Sequence, residues 1–159
     1  MFSIFSSKKA IPFSPEERAE MLRLLRLVED TRFGAFLHLI DLGKVIFRWN
    51  PSMDVRNGVL GSFSALRPNT IDLAPGASPH AAGEYPFGRI LDLAPTAMHE
   101  LEHMFQLRQA PLSFLVDGLP VIREAPWSSE PDASKVEEEA EKFYSSERLE
   151  IEGSWRTAP

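Results

Sequence analysis

The sequence contains no cysteine. That absence excludes a disulfide framework, a thiolate metal site and a cysteine nucleophile. No apolar run approaches the roughly 20 residues that a bilayer-spanning helix needs. In Met1–Lys9 the lysines follow the apolar residues, the reverse of a secretory signal. We therefore expect a soluble, cytoplasmic chain without a membrane partner. Positive charge is also short, with 17 Lys and Arg against 23 Asp and Glu and a net charge of −6. A nucleic-acid binder carries the opposite balance, so no nucleic-acid partner is expected. Histidine is scarce, at four residues in the whole chain, which makes a pattern built from histidines informative.

What is present is ordinary globular composition, 43% hydrophobic and 25% charged over 159 residues, enough for one domain with a core. We expect an N-terminal extension over 1–13, a single domain over 14–150 and a C-terminal tail over 151–159. Ser14-Pro15-Glu16-Glu17 combines an N-cap, a first-turn proline and a capping-box glutamate, and Met21, Leu24, Leu25 and Val28 continue at helical spacing. This predicts a helix over 15–29. Phe33, Phe36, Leu37 and Ile40 predict a second over 32–42, closed by Gly43. Lys44–Trp49 reads as a strand, and residues 58–66 with Thr70–Leu73 as a hairpin about Arg67-Pro68-Asn69. Residues 75–86 read as a loop, 95–108 as a helix with Pro95 near its start or at a kink, and 132–147 as a last helix. The proline-rich stretch 110–131 takes no clear element and is a candidate cover for a cleft. Trp49, Trp127 and Trp155 suggest packing, and His38 an ordinary, partly buried histidine.

The helix over 95–108 carries Met98-His99-Glu100-Leu101-Glu102-His103. Residues four apart lie one above the other on a helix. His99 and His103 can therefore share one metal ion, with Glu100 beside it as base for a bound water. Composition alone would produce H-E-x-x-H only about 0.01 times in a chain of this length. Ala94, Met98, Leu101 and Phe105 form the opposite, apolar face, while Thr96 and Gln106 join the histidines. Asp92 either orients an imidazole or caps the helix.

A catalytic zinc takes a third protein ligand and keeps a position open for water. Met104–Gln109 offers no further histidine in metzincin spacing, so a downstream carboxylate is the natural third ligand, and Glu137-Glu138-Glu139-Ala140-Glu141 is the dense supply. Val136, Ala140 and Phe143 define a buried stripe that Glu138 and Glu141 avoid. Glu137 and Glu139 flank it, and either can reach a site at its rim. The small Ala140 one turn on, and Tyr144 two turns on, favour Glu137. Ser134-x-x-Glu137 also fits a capping box, a reading that a helix starting near 129–131 would remove.

H-E-L-E-H followed by Glu137-x-x-Ala140-x-x-Phe143 resembles the gluzincin branch of the zincin-like metallopeptidases, and more loosely the ImmA/IrrE family. The resemblance covers roughly 31–147 and departs at Glu102, where those proteins usually carry glycine, and after Tyr144, where they continue through Leu-Met-Pro. It implies an α+β, zincin-like fold with a small mixed sheet, an edge strand beside the H-E-x-x-H helix and a C-terminal ligand helix. It assigns Glu137 as third ligand to zinc and the arm Asn69–Pro75 as the edge strand to which a peptide or protein substrate adds. The expected activity is zinc-dependent peptide hydrolysis with Glu100 as base. Tyr144 is the first choice to support the oxyanion, ahead of Tyr85 and His80. The alternatives are a latent or inactive zinc-stabilised binding module and a metal-free structural protein.

Overall fold

The computed structural model describes residues 9–53, 60–64, 66–78, 87–109 and 130–157. Its order is β1 (Ile11–Pro12), α1 (Pro15–Val28), β2 (Ile46–Trp49), β3 (Gly61–Ser64), β4 (Arg67–Leu73), α2 (Gly88–Gln109) and α3 (Glu130–Thr157). The chain is thus mixed α+β, with one small mixed sheet and three α-helices among the described residues. None of these helices is long and apolar enough to cross a membrane.

The sheet runs β1-β2-β4-β3. β2 lies parallel to β4, with Arg48 opposite Asp72, whereas β1 and β3 pair antiparallel to their neighbours. Alternation along the strands separates its faces. Phe47, Trp49, Ile71 and Leu73 are buried on the inner face, where α2 packs on β3 and β4. Arg48 and Asp72 pair on the outer face, with both guanidinium bonds at 2.7 and 2.9 Å. The hairpin expectation survives, but its second arm is not the edge. β4 has partners on both sides, and the edge beside α2 is β3.

α1 starts as its sequence dictates: Ser14 Oγ accepts from the Glu17 amide, and Glu17 accepts from the Ser14 amide. The helix expected over 32–42 is instead two 3-10 turns, Ala35–Leu39 and Leu42–Lys44, separated by an extended Ile40. A Cβ at Gly34 would run into the Val28 carbonyl, so the chain turns tightly there rather than beginning a regular helix. Eleven residues form a marginal helix at best, and here tertiary contacts win. Phe36 packs on Phe105 and Phe33 on Phe143.

Both ends exceed the expected domain. β1 pairs with β2, and Phe13 is buried against Trp49, so residues 11–13 belong to the sheet layer. α3 continues to Thr157 and takes up most of the expected tail. Ile151 is buried, Trp155 packs edge-on against Phe87, and its indole N–H donates to Glu20. α2 begins two turns before Pro95. A proline inside a helix costs about 3 kcal/mol, and the buried Ile90, Leu91, Leu93 and Ala94 offset it. Trp127, Tyr85, His80 and most of 110–131 lie outside the described residues.

Candidate metal centre

α2 passes beneath the sheet with one side against β3 and β4 and another against α3. Residues near its middle are therefore enclosed, yet close to the sheet edge. His103 is 8% exposed, and Glu100 is buried beside it. The helical spacing brings the two imidazoles together, with ring centroids 5.0 Å apart and planes at 67°. Their Nε2 atoms lie 3.2 Å apart. Two Zn–N bonds of about 2.05 Å at the tetrahedral angle span a chord of about 3.3 Å, so the pair has the separation that one zinc ion requires.

Hydrogen bonding sets the His103 tautomer that favours this. His103 Nδ1 lies 3.2 Å from Gln106 Oε1, an acceptor, so the ring proton belongs on Nδ1 and the Nε2 lone pair points inward. His99 Nδ1 lies 3.0 Å from Glu137 Oε1, an ion-pair distance that does not meet hydrogen-bond geometry, so this contact leaves the His99 tautomer open. At this distance the His103 Nε2 lone pair meets either a proton on His99 Nε2 or a metal ion shared by the two nitrogens.

The acids of α3 separate by position. Glu137 is the one at His99. Glu139 Oε1 lies 3.8 Å from Lys142 Nζ, and Glu138 is likewise paired with Lys142 on the exposed side. Because α3 begins at Glu130, Ser134 lies inside the helix and the capping-box reading of Glu137 falls away. The expected third ligand nevertheless meets the far nitrogen of His99, not the Nε2 pair. It stands beside the imidazole rather than next to the two facing nitrogens. Among the described residues, no three His, Asp or Glu side chains are grouped to hold a metal ion.

Tyr144, expected to support an oxyanion, is committed elsewhere. It is 3% exposed, and its hydroxyl donates to the Leu24 carbonyl of α1 at 2.8 Å. Burial raises its pKa well above the ordinary phenol value. The Ala140–Tyr144 edge of α3 faces the core, so the side chain that would have pointed at the histidines packs under α1 instead. Asp92 accepts from Ser78 and Arg148, tying the start of α2 to α3. His38 is exposed and faces Asp30 at 3.1 Å.

Two contributors were not singled out from the sequence. Gly61 on the edge strand lies directly over α2. A Cβ there would come within 2.6 Å of Thr96 Cγ2 and 3.2 Å of Glu100 Cγ, so only glycine lets β3 approach the carboxylate this closely. Glycine inside a strand pattern was the available signal. The second is Glu102, 9% exposed, which accepts from Gln106 Nε2 at 3.3 Å. Burial first, and then the like charge of Asp132, push its carboxyl up to about 7. Gln106 thereby links Glu102 to His103. The signal was the i, i+4 spacing of Glu102 and Gln106 on the histidine side of the helix.

No family model, curated protein or solved structure matches this chain.

Proposed function

We propose that the protein is a zinc-dependent metallopeptidase of minimal, zincin-like architecture. The observation that carries this reading is the facing Nε2 pair of His99 and His103, 3.2 Å apart, with His103 Nδ1 held by Gln106, Glu137 close to His99 and Glu100 buried next to His99 in the chain. His99 and His103 would hold the metal. Glu137 is the carboxylate that α3 brings to the pair, 3.0 Å from His99 Nδ1, and it would complete the donor set. Zinc, when bound, supplies Lewis acidity that acidifies a water molecule and polarises a peptide carbonyl.

The remaining work falls to the chain. Glu100 accepts the proton of the attacking water as the new C–O bond forms, then delivers it to the departing nitrogen as the C–N bond breaks. Gln106 keeps the His103 proton on Nδ1 throughout, so that nitrogen never competes with Glu100 as a base. Edge strand β3, one glycine away from Glu100, supports extended binding of a peptide along the sheet.

The test is peptide-library cleavage by zinc-loaded wild type and Glu100→Gln. Hydrolysis by the wild type, lost in the variant with zinc retained, is the expected result. Equal cleavage by both, or by neither, removes the enzymatic assignment. Zinc retention without turnover in either would favour a zinc-stabilised binding module.

A further inference from the structure

A cavity of about 560 Å³ opens between the end of α2, the start of α3 and the turn after α1. It belongs to none of the roles assigned so far. Phe33, Phe36 and Phe105 wall it, and Phe36 and Phe105 pack ring against ring at 5.8 Å. Glu102 lines it from the buried side, while Asp132 stands exposed at its rim. The two cations that line it, Arg32 and Lys135, are exposed. The deep ionisable group is thus a carboxylate, and the walls leading to it are aromatic.

We infer that this cavity binds a basic side chain, lysine or arginine, of a peptide. The apolar stem of such a side chain matches the phenylalanine walls, and its cationic head reaches Glu102 with Asp132 close by. The volume takes one long side chain with its flanking backbone. An acidic side chain would meet Arg32 and Lys135 only at the solvent-exposed mouth, where ion pairs contribute little. It would then face Glu102 inside. The cavity also communicates with the metal centre. Glu102 accepts from Gln106, and Gln106 accepts from His103. A basic residue seated there belongs to the substrate close to the bond that is cut, so this inference builds on the peptidase reading and names its preference.

The test reads the cavity directly and needs neither metal nor turnover. Wild-type protein carrying ¹³C-labelled phenylalanine is titrated with acetyl-lysine amide, acetyl-norleucine amide and acetyl-glutamate amide, and ring shifts of Phe33, Phe36 and Phe105 are followed. The lysine derivative should move these signals and bind at least about tenfold more tightly than norleucine, which lacks the ammonium, the size of one hydrogen bond to a charged group. Glu102→Gln and the exposed Asp132→Asn should each reduce that preference, and Asp132→Asn keeps the test valid if the buried variant fails to fold. Equal binding of lysine and norleucine derivatives, preference for glutamate, or unmoved phenylalanine signals would overturn the inference. Because the titration is independent of zinc and cleavage, it can fail while the peptidase reading stands, and the reverse.

Discussion

Replacing Gly61 by alanine tests how closely the edge strand is fitted to the helix beneath it. In an ordinary strand the change stabilises by about 0.5–1 kcal/mol, because glycine loses more backbone freedom on folding. Here the added Cβ falls 2.6 Å from Thr96 Cγ2, against a contact distance of about 3.5–4.0 Å between carbons. Neither atom is the free end of a flexible side chain, so the strand or the helix must give way. Overpacking of this kind costs about 1–3 kcal/mol, which outweighs the backbone gain and reverses the sign. The same Cβ lies 3.2 Å from Glu100 Cγ and displaces the carboxylate. In the peptidase reading this shift of a few tenths of an ångström lowers turnover by less than the roughly 10²-fold that a misplacement of about 1 Å costs, while zinc content is unchanged. Urea unfolding of Gly61→Ala, Thr96→Ser and the double variant closes a cycle, since serine removes only the clashing methyl. The double variant should recover much of the loss. An alanine variant as stable as wild type, or a double variant with no recovery, would refute the packing argument.

Three further outcomes follow from the same geometry. Tyr144→Phe removes the bond to Leu24 and should cost about 1–3 kcal/mol in urea unfolding without altering zinc content or cleavage, whereas a selective loss of cleavage would return Tyr144 to the reaction. Glu102, flanked by Asp132 with Arg32, Lys135 and Glu139 around the same cavity, has a folded pKa of about 7 against an ordinary 4.5. The native state therefore holds a proton that the unfolded chain has released above pH 4.5. This contribution is full below that pH and declines by up to about 3 kcal/mol as pH rises through 7. Metal-free Glu102→Gln should lack that decline, and parallel pH profiles for the two proteins would contradict the assignment. Trp155→Ala removes the contact with Phe87 and the bond to Glu20, and should cost about 2 kcal/mol. A neutral effect would mean that the end of α3 contributes nothing to the core.

What the sequence reveals depends on how local the determinant is. The start of α1 is written in three neighbouring residues, Ser14, Pro15 and Glu17, whose bonds satisfy one another. The pairing of His99 with His103 follows equally from the geometry of one helix turn. The extent of α3 was missed, with an expected end at 147, although Ala140, Tyr144, Ile151 and Trp155 continue one face at spacings of four and seven and Gly153, with open space around it, does not end the helix. The segment 32–42 misleads because its apolar spacing suits a helix, while the tight approach of Gly34 to Val28 depends on where α1 delivers the chain. Which arm of the hairpin forms the edge is decided by the parallel pairing of β2 with β4, a non-local choice that neither strand announces. The same holds for Tyr144, whose orientation depends on where α1 lies across α3.

The measurement that bears most directly on the account is zinc stoichiometry and affinity, for untagged protein prepared without chelator. Wild type should carry one zinc per chain, and His99→Ala or His103→Ala should abolish it. Glu139→Ala should leave it unchanged. Glu137→Gln should weaken affinity by about 10–100-fold if the carboxylate only orients His99, and by more if it also coordinates the metal. A wild-type protein that takes up no zinc even when the ion is supplied in excess would contradict the central claim, and would leave the facing histidines bridged by a proton alone.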